Sequence, residues 1–217
     1  MTKPFSLPEA MHGYLDARNT RPDAAQDALR EETSDLPMAG MRFNHESALL
    51  LQLIVQALRP MFVVEVGTFT GYSSLTVARA LPPGGRMLCC DVSDEWTSIA
   101  RTHWAAAGVD DRIELRIGPA IDTLRGLPDE KSVDFAVVDA DKGGYVDYYE
   151  ELVSRLTPHG LIAVDNTMWS GAVLDASDTS DNTESLRRFN DHVAADARTT
   201  NVTVPIGDGV TLVGLAS

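Results

Sequence analysis

The chain has 217 residues, 44% of them hydrophobic, and a formal net charge of −14. That length suits one large α/β domain able to bury most of its apolar surface. The acidic balance, with no Lys/Arg cluster, argues against broad nucleic-acid binding. No apolar run reaches transmembrane length, and nothing after Met1-Thr2-Lys3-Pro4 resembles a signal h-region, so a cytoplasmic protein without a membrane partner is the default expectation. Cys89 and Cys90, adjacent in an expected strand, face opposite sides and exclude a disulfide framework. The five histidines show no ligand spacing and read as surface or capping residues.

From Pro8 to Leu36 the sequence predicts two polar helical pieces broken near Arg21-Pro22, with Pro22 at a helix start and Asp23 complementing the dipole. Met38 to Phe43 is an apolar linker. Asn44 is a good N-cap for a helix from His45 to Leu58, which Pro60 ends. Residues 1–60 thus form a cover over the rest of the chain. Residues 61–217 alternate strand and helix patterns, the signature of a parallel sheet with right-handed crossovers.

The first strand is Phe62–Val66, five largely β-branched or apolar residues ending at Gly67. A turn and a helical run from Ser73 to Leu81 come next, stopped by Pro82-Pro83. Strand, tight glycine loop and helix N-terminus place backbone N–H groups around one crevice, the ligand site of an open α/β sheet. The glycines are spaced Gly-x-x-x-Gly, Gly67 to Gly71, so the third glycine of the dinucleotide fingerprint is missing. Glu65 would repel a pyrophosphate but favours a cationic ligand. Asp91 ends the second strand, Arg86–Cys90, where a ribose hydroxyl is held in βαβ nucleotide sites. S-adenosylmethionine, a cationic nucleoside without phosphates, suits both acids. An ordinary βαβ turn with Asp91 capping the next helix accounts for the same residues.

Farther on, the sequence predicts a helix at Asp94–Gly108, a strand at Ile113–Ile117, and a turn Gly118-Pro119-Ala120 into a helix ending near Gly126. A fourth strand, Val133–Val138, ends at Asp139. The helix Tyr145–Leu156 stops at Pro158-His159-Gly160, and a fifth strand, Leu161–Val164, ends at Asp165. Asp175–Thr183 reads as the most mobile loop. The helix Glu184–Ala195 then leads to two strands separated by Gly207-Asp208-Gly209, a terminal antiparallel hairpin.

Asp139 and Asp165-Asn166 lie just past the carboxyl ends of the fourth and fifth strands. Neighbouring strands lie about 4.8 Å apart, so side chains leaving their ends can converge on one ion. Two carboxylates and an amide oxygen are hard ligands suited to Mg²⁺, Mn²⁺ or Ca²⁺, whereas zinc would call for a nearby Cys or His. Taken singly, either Asp reads as a turn or helix cap. Lys142 is next, in Asp139-Ala140-Asp141-Lys142. An ammonium beside a divalent cation is destabilised and sheds its proton more readily, as a general base must; a loop lysine without a metal is ordinarily solvated.

Four stretches in register, Val64 to Ser73, Val138 to Lys142, Asp165 to Gly171 and Val204 to Thr211, closely resemble the cation-dependent O-methyltransferases of the caffeoyl-CoA and catechol type. The resemblance runs from about Met41 to the C-terminus. It implies a Rossmann-like, doubly wound seven-stranded sheet of order 3-2-1-4-5-7-6, with the last strand inserted antiparallel. It further implies that Asp139, Asp165 and Asn166 are the metal ligands and Lys142 the base. Met41, Phe43, Glu65, Gly67, Phe69, Ser73, Asp91 and Ala120 would line the S-adenosylmethionine pocket. Asp139, Asp141 and Tyr148 would face the cofactor as well, the last two at its amino-acid end. A vicinal dihydroxy acceptor, Trp169 in its hydrophobic wall and a homodimer complete the expectation. Asn44 and Ala48 replace a common Ser and Gly, Gly143-Gly144 comes after the lysine, and Ala172 stands where a basic residue often sits, so the acceptor stays open.

Two other acceptor or reaction classes share parts of this pattern. A carrier-bound hydroxy acid fits the same chemistry, and a nicotinamide-dependent oxidoreductase shares the sheet and Asp91 but needs a phosphate-cradling loop without Glu65. A non-catalytic binding module would have no use for Lys142 beside the ligands.

Overall fold

The computed structural model describes residues 8–216; residues 1–7 of the expected covering segment, including the start read for a signal, and Ser217 lie outside. In chain order the elements are α1 (Glu9–Asp16), α2 (Ala24–Ser34), α3 (His45–Leu58), β1 (Phe62–Val66), α4 (Tyr72–Ala80), β2 (Arg86–Asp91) and α5 (Asp94–Ala106). The second half contains β3 (Ile113–Ile117), α6 (Ala120–Arg125), β4 (Val133–Val138), α7 (Tyr145–Arg155), β5 (Leu156–Val164), α8 (Asp181–Ala195), β6 (Thr199–Val204) and β7 (Val210–Leu215). The seven strands form one sheet of order β3-β2-β1-β4-β5-β7-β6. β1 to β5 pair in parallel, and β7 runs antiparallel to both β5 and β6. This is the arrangement the resemblance implied.

Strand alternation divides the core. Val64, Val66, Ala136, Val138, Ile162 and Val164 face α6, α7 and α8, meeting Leu124, Tyr149, Leu152 and Phe189. Val63, Phe135, Val137 and Ala163 face α2 to α5, meeting Leu29, Leu51, Leu75 and Trp104. Both faces are covered, which is why these strands are apolar throughout rather than alternating. Cys90 joins the first cluster and Cys89 the second, and both are free thiols on opposite faces, as their adjacency requires.

α2 and α3 do cover the sheet, whereas α1 buries none of its residues. Asn44 caps α3 through Glu46 N and Ser47 N, and α3 closes at Arg59 in the left-handed region. Asp23, not Pro22, is the cap of α2: its carboxylate accepts from Ala25 N and Gln26 N, while the Gln26 side chain accepts from Asp23 N. The expected linker contains a short 3-10 turn at Ala39–Met41.

Several boundaries differ from the sequence reading: α4 by a single residue at each end and β2 by one at its end, the others by more or with a local cause. The α5 helix ends two residues early, and Gly108 takes φ +66° beyond it. β5 begins at Leu156, where Leu156 pairs with Val133 and the register then shifts before Phe135 pairs with Leu161. Pro158-His159-Gly160 therefore forms an irregularity inside the strand, and α7 stops at Arg155 before it. Finally, α8 starts at Asp181 because Asp178 holds Ser180 N and the Thr183 hydroxyl, so part of the expected mobile loop is the first helical turn.

Candidate active site

All the parallel strands end on one edge of the sheet, and the loops leaving it enclose a cleft of about 1500 Å³. Small-molecule sites are typically ~300–1,000 Å³, so there is room for two ligands side by side.

The first wall is the β1–α4 loop. Gly67 has φ +87°, and a Cβ there would stand 1.9 Å from the carbonyl oxygen of Asp139, so the loops after β1 and β4 touch backbone to backbone. Gly71, at φ +84°, caps α4 where a Cβ would strike Ala100 and the Trp104 indole. Those close approaches, and not phosphate binding, account for the Gly-x-x-x-Gly spacing. Between the glycines Phe69 also takes a positive φ, 51°, and packs edge-on against Trp96 with ring centroids 5.1 Å apart.

Asp91 braces this loop. Its Oδ2 accepts from Thr68 N at 2.9 Å and Phe69 N at 2.8 Å, and its Oδ1 from Ser93 N at 2.8 Å. A carboxylate has about four acceptor sites, so it can still receive a hydroxyl from the cleft, which it lines. Glu65 is placed differently. It is fully enclosed behind the wall, its Oε1 accepting from Ser73 Oγ at 2.6 Å, and its Oε2 has no hydrogen-bond partner. Burial raises its carboxyl from 4.5 to about 7, against the hydrogen bonds from Ser73 and its neighbours. Ser73, Met41, Phe43, Gly67, Phe69 and Ala120 line the cleft itself.

The second wall comes from β4 and β5. Asp139 N donates to Val66 O at 2.8 Å and Asp165 N to Val138 O at 2.9 Å, continuing the ladder one step beyond the strands. Asn166, the next residue, takes φ +59°. Here Lys142 is not a solvated loop residue: only 8% exposed, its Nζ donates to Tyr145 Oη at 2.6 Å, Asn166 Oδ1 at 2.6 Å and Asp139 Oδ1 at 3.3 Å. Asp165 Oδ1 is buried with no partner. Burial, and then the Asp139 charge, raise the Asp165 carboxyl to about 7; Asp139 is raised too, by burial, against the pull of Lys142. Asp141 stands at the mouth, its carboxylate accepting from Tyr148 Oη at 2.6 Å and from Gly144 N.

Among the described residues no group of three His, Cys, Asp or Glu side chains forms a metal cluster. The set brought together is two carboxylates and an amide, with Asn166 Oδ1 and Asp139 Oδ1 turned to a cation, the Lys142 ammonium, and Asp165 Oδ1 unpartnered. Convergent, under-satisfied hard oxygens of this kind fit a divalent cation.

Two residues without a role in the sequence reading belong to this site. Tyr145, fully buried, accepts from Lys142 and donates to Asp165 O at 3.2 Å; its spacing of three from the lysine was the available signal. Asp208, at the tip of the β6–β7 hairpin, lines the cleft and adds a negative charge beside Asp139 and Asp165. Its carboxylate also receives Ser170 N, and its carbonyl receives Met168 N at 3.0 Å, so the hairpin steadies the loop that carries Asn166 and Trp169.

Set against known proteins, the chain has relatives along nearly its whole length. Residues 19–215 match the family described as O-methyltransferase. The chain is 42% identical over 203 residues to probable caffeoyl-CoA O-methyltransferase 1 of Dictyostelium discoideum, covering 92% of this chain and 88% of the relative. It is 36% identical over 202 residues to catechol O-methyltransferase domain-containing protein 1 of Mus musculus, across 92% of this chain and 77% of the relative. The crystal structure of the O-methyltransferase TomG from Streptomyces achromogenes, involved in tomaymycin synthesis and in complex with SAM, matches with a TM-score of 0.83 at 27% identity, over 96% of each chain.

Proposed function

The chain belongs to the O-methyltransferase family, and from that premise we propose that it is a cytoplasmic, homodimeric, single-domain enzyme methylating one hydroxyl of a catechol-like acceptor. S-adenosylmethionine would be the methyl donor, and Mg²⁺, or Mn²⁺ or Ca²⁺, the cation. The carrying observation is that the glycine loop with Asp91 and the Asp139–Lys142–Asp165–Asn166 cluster share one cleft, with Glu65 buried behind its wall. A donor and an acceptor held there would be neighbours. Among the described residues no helix is long and apolar enough to cross a membrane.

In this reading Asp139, Asp165 and Asn166 would hold the cation, which would supply Lewis acidity toward an acceptor hydroxyl. S-adenosylmethionine supplies the methyl group. Asp91 holds a ribose hydroxyl and keeps the Thr68–Phe69 backbone in place. Glu65 sets the Ser73 hydroxyl and places an acid behind the cationic end of the donor. Asp141 and Tyr148 form the rim at that end. Lys142, in its neutral amine form, takes the acceptor's proton at Nζ and becomes the ammonium; no other amine lines the cleft among the described residues. Tyr145 and Asn166 fix where that nitrogen sits. Trp169 walls the acceptor side. The protein's contribution is alignment and fixed charge.

Labelled S-adenosylmethionine with catechol, or with a monophenol, tests this. Methyl transfer to catechol that EDTA stops and Mg²⁺ restores is the expected result. Full turnover after exhaustive chelation, or no transfer to any vicinal diol, would sink the proposal, and light scattering at micromolar concentration checks the dimer.

A further inference from the structure

Among the charged side chains that line the cleft without a part in the methyl-transfer chemistry, Arg42 is half-buried and lacks a counter-charge within the described residues. Arg42 lies between Met41 and Phe43 on the extended segment entering α3, half-buried and lining the cleft. Its guanidinium carbon lies over the Tyr72 ring, 5.6 Å from the ring centre, and Tyr72 is a buried residue whose hydroxyl is fixed by His45 at 2.8 Å. Several arginines find partners: Arg79 pairs with Asp23, Arg155 with Glu151 and Asp129, Arg198 with Glu150 and Asp196; Arg21, also lining the cleft and without a side-chain partner among the described residues, is exposed to solvent. Arg42 has neither an ion pair nor a side-chain hydrogen bond among the described residues. Its charged neighbour is Arg30, which repels it and is itself committed to Asp27 at 3.2 Å. Burial and that repulsion both push the Arg42 guanidinium below its usual value.

In a chain with 32 acidic and 18 basic residues, a carboxylate partner would be easy to provide. The two acids on this part of the rim, Asp16 and Glu46, do not serve: burial and Asp16 raise the Glu46 carboxyl, so these two face each other. A partly desolvated cation is costly when unpaired, and a guanidinium carries a planar fork of donors that suits a carboxylate. Among the described residues no counter-ion faces Arg42, and the cleft is open.

We propose that Arg42 is a carboxylate anchor in the cleft wall, gripping a carboxylate of a bound ligand. The choice of ligands rests on the methyl-transfer reading, which offers two sources: the amino-acid end of the donor, or an acid group on the acceptor. Arg42→Met keeps the length and the contact with Tyr72 and removes the charge. Calorimetry would compare S-adenosylhomocysteine with 5′-methylthioadenosine, which lacks the amino-acid end, and 3,4-dihydroxybenzoate with catechol, which lacks the carboxylate. A bidentate charged pair is worth about tenfold or more. The expected result is a loss of that size for one carboxylate-bearing ligand, with its partner lacking the group unchanged and partial recovery in Arg42→Lys. Loss confined to S-adenosylhomocysteine assigns the anchor to the donor, and loss confined to dihydroxybenzoate assigns it to the acceptor. Equal effects within both pairs overturn the anchor, because a packing defect does not distinguish them. Wild-type binding of S-adenosylhomocysteine tests the proposed function separately.

Discussion

Replacing Glu65 by Gln should make the stability difference from wild type depend on pH while weakening binding, and the size of the first effect comes from burial. The carboxyl is fully enclosed and its proton affinity is raised from 4.5 to about 7. At about 1.36 kcal/mol per pH unit, ionising it in the folded protein costs roughly 3 kcal/mol more than in the unfolded chain. The sign is set by linkage: between those two values the native state binds more protons than the unfolded state, so stability falls as pH rises through that window and levels off above it. Glu65→Gln removes this slope but leaves an amide N–H₂ where Oε2 has no partner, a cost of about 1–3 kcal/mol at every pH. Urea unfolding should therefore show the variant less stable than wild type at pH 5, with the difference moving in its favour by roughly 3 kcal/mol by pH 8. At pH 8 the same variant should bind S-adenosylmethionine, which carries a sulfonium charge, more weakly, since the negative charge behind Ser73 is gone. A variant-minus-wild-type difference that stays constant from pH 5 to pH 8 would refute the buried-acid argument.

Saturating Mg²⁺ at about 100 times its Kd stabilises a protein by about 2.7 kcal/mol, which for a chain of this size is roughly 5–11 °C in Tm. Calorimetric scans should show that shift in wild type and Asp141→Ala but not in Asp139→Ala; equal shifts in both variants would remove Asp139 from the ligand set. Lys142→Ala should lower kcat by ~10²–10⁴-fold with S-adenosylhomocysteine affinity nearly unchanged, and near-normal kcat across pH 6–9 would place the base elsewhere. Asp91→Ala loses a charged hydrogen bond to ribose worth about 1.5–3 kcal/mol and also frees Thr68 N and Phe69 N. Its affinity for S-adenosylhomocysteine should fall at least tenfold, and an unchanged calorimetric Kd would contradict the ribose role.

Most of the frame was readable because it depends on local rules. Phe62–Val66, Ile113–Ile117 and Val133–Val138 are short apolar runs ended by glycine or aspartate, and the strands have those bounds. Asn44 capped α3 where its side chain and the apolar period after it required. β5 was misread because Leu156 to Gly160 looks like a helix end and then a turn. What makes it a strand is pairing of Leu156 with Val133, a partner 23 residues back, and no local pattern carries that. The order of the strands came only from the resemblance, since alternation of strand and helix does not say which strand ends at an edge.

Within the cleft the same division holds, and it explains which residues stayed hidden. Asp139 and Asp165 were found because the residue after a parallel strand must leave at the sheet's carboxyl edge, and their N–H groups do continue the ladder onto Val66 O and Val138 O. Their separation is therefore set by strand spacing and not by the loops. Asp208 arrives from a hairpin 43 and 69 residues beyond them, and only the insertion of β7 beside β5 brings its turn to the same edge. Lys142 could be named as a base, yet its enclosure could not be foreseen, because the groups that accept its three hydrogen bonds lie on α7, on the loop after β5 and at the end of β4. The acids crowded there share that one enclosed ammonium. This cluster is held by the sheet's register against its own repulsion, so it costs stability where the β4 and β5 loops meet and keeps a site ready for positive charge.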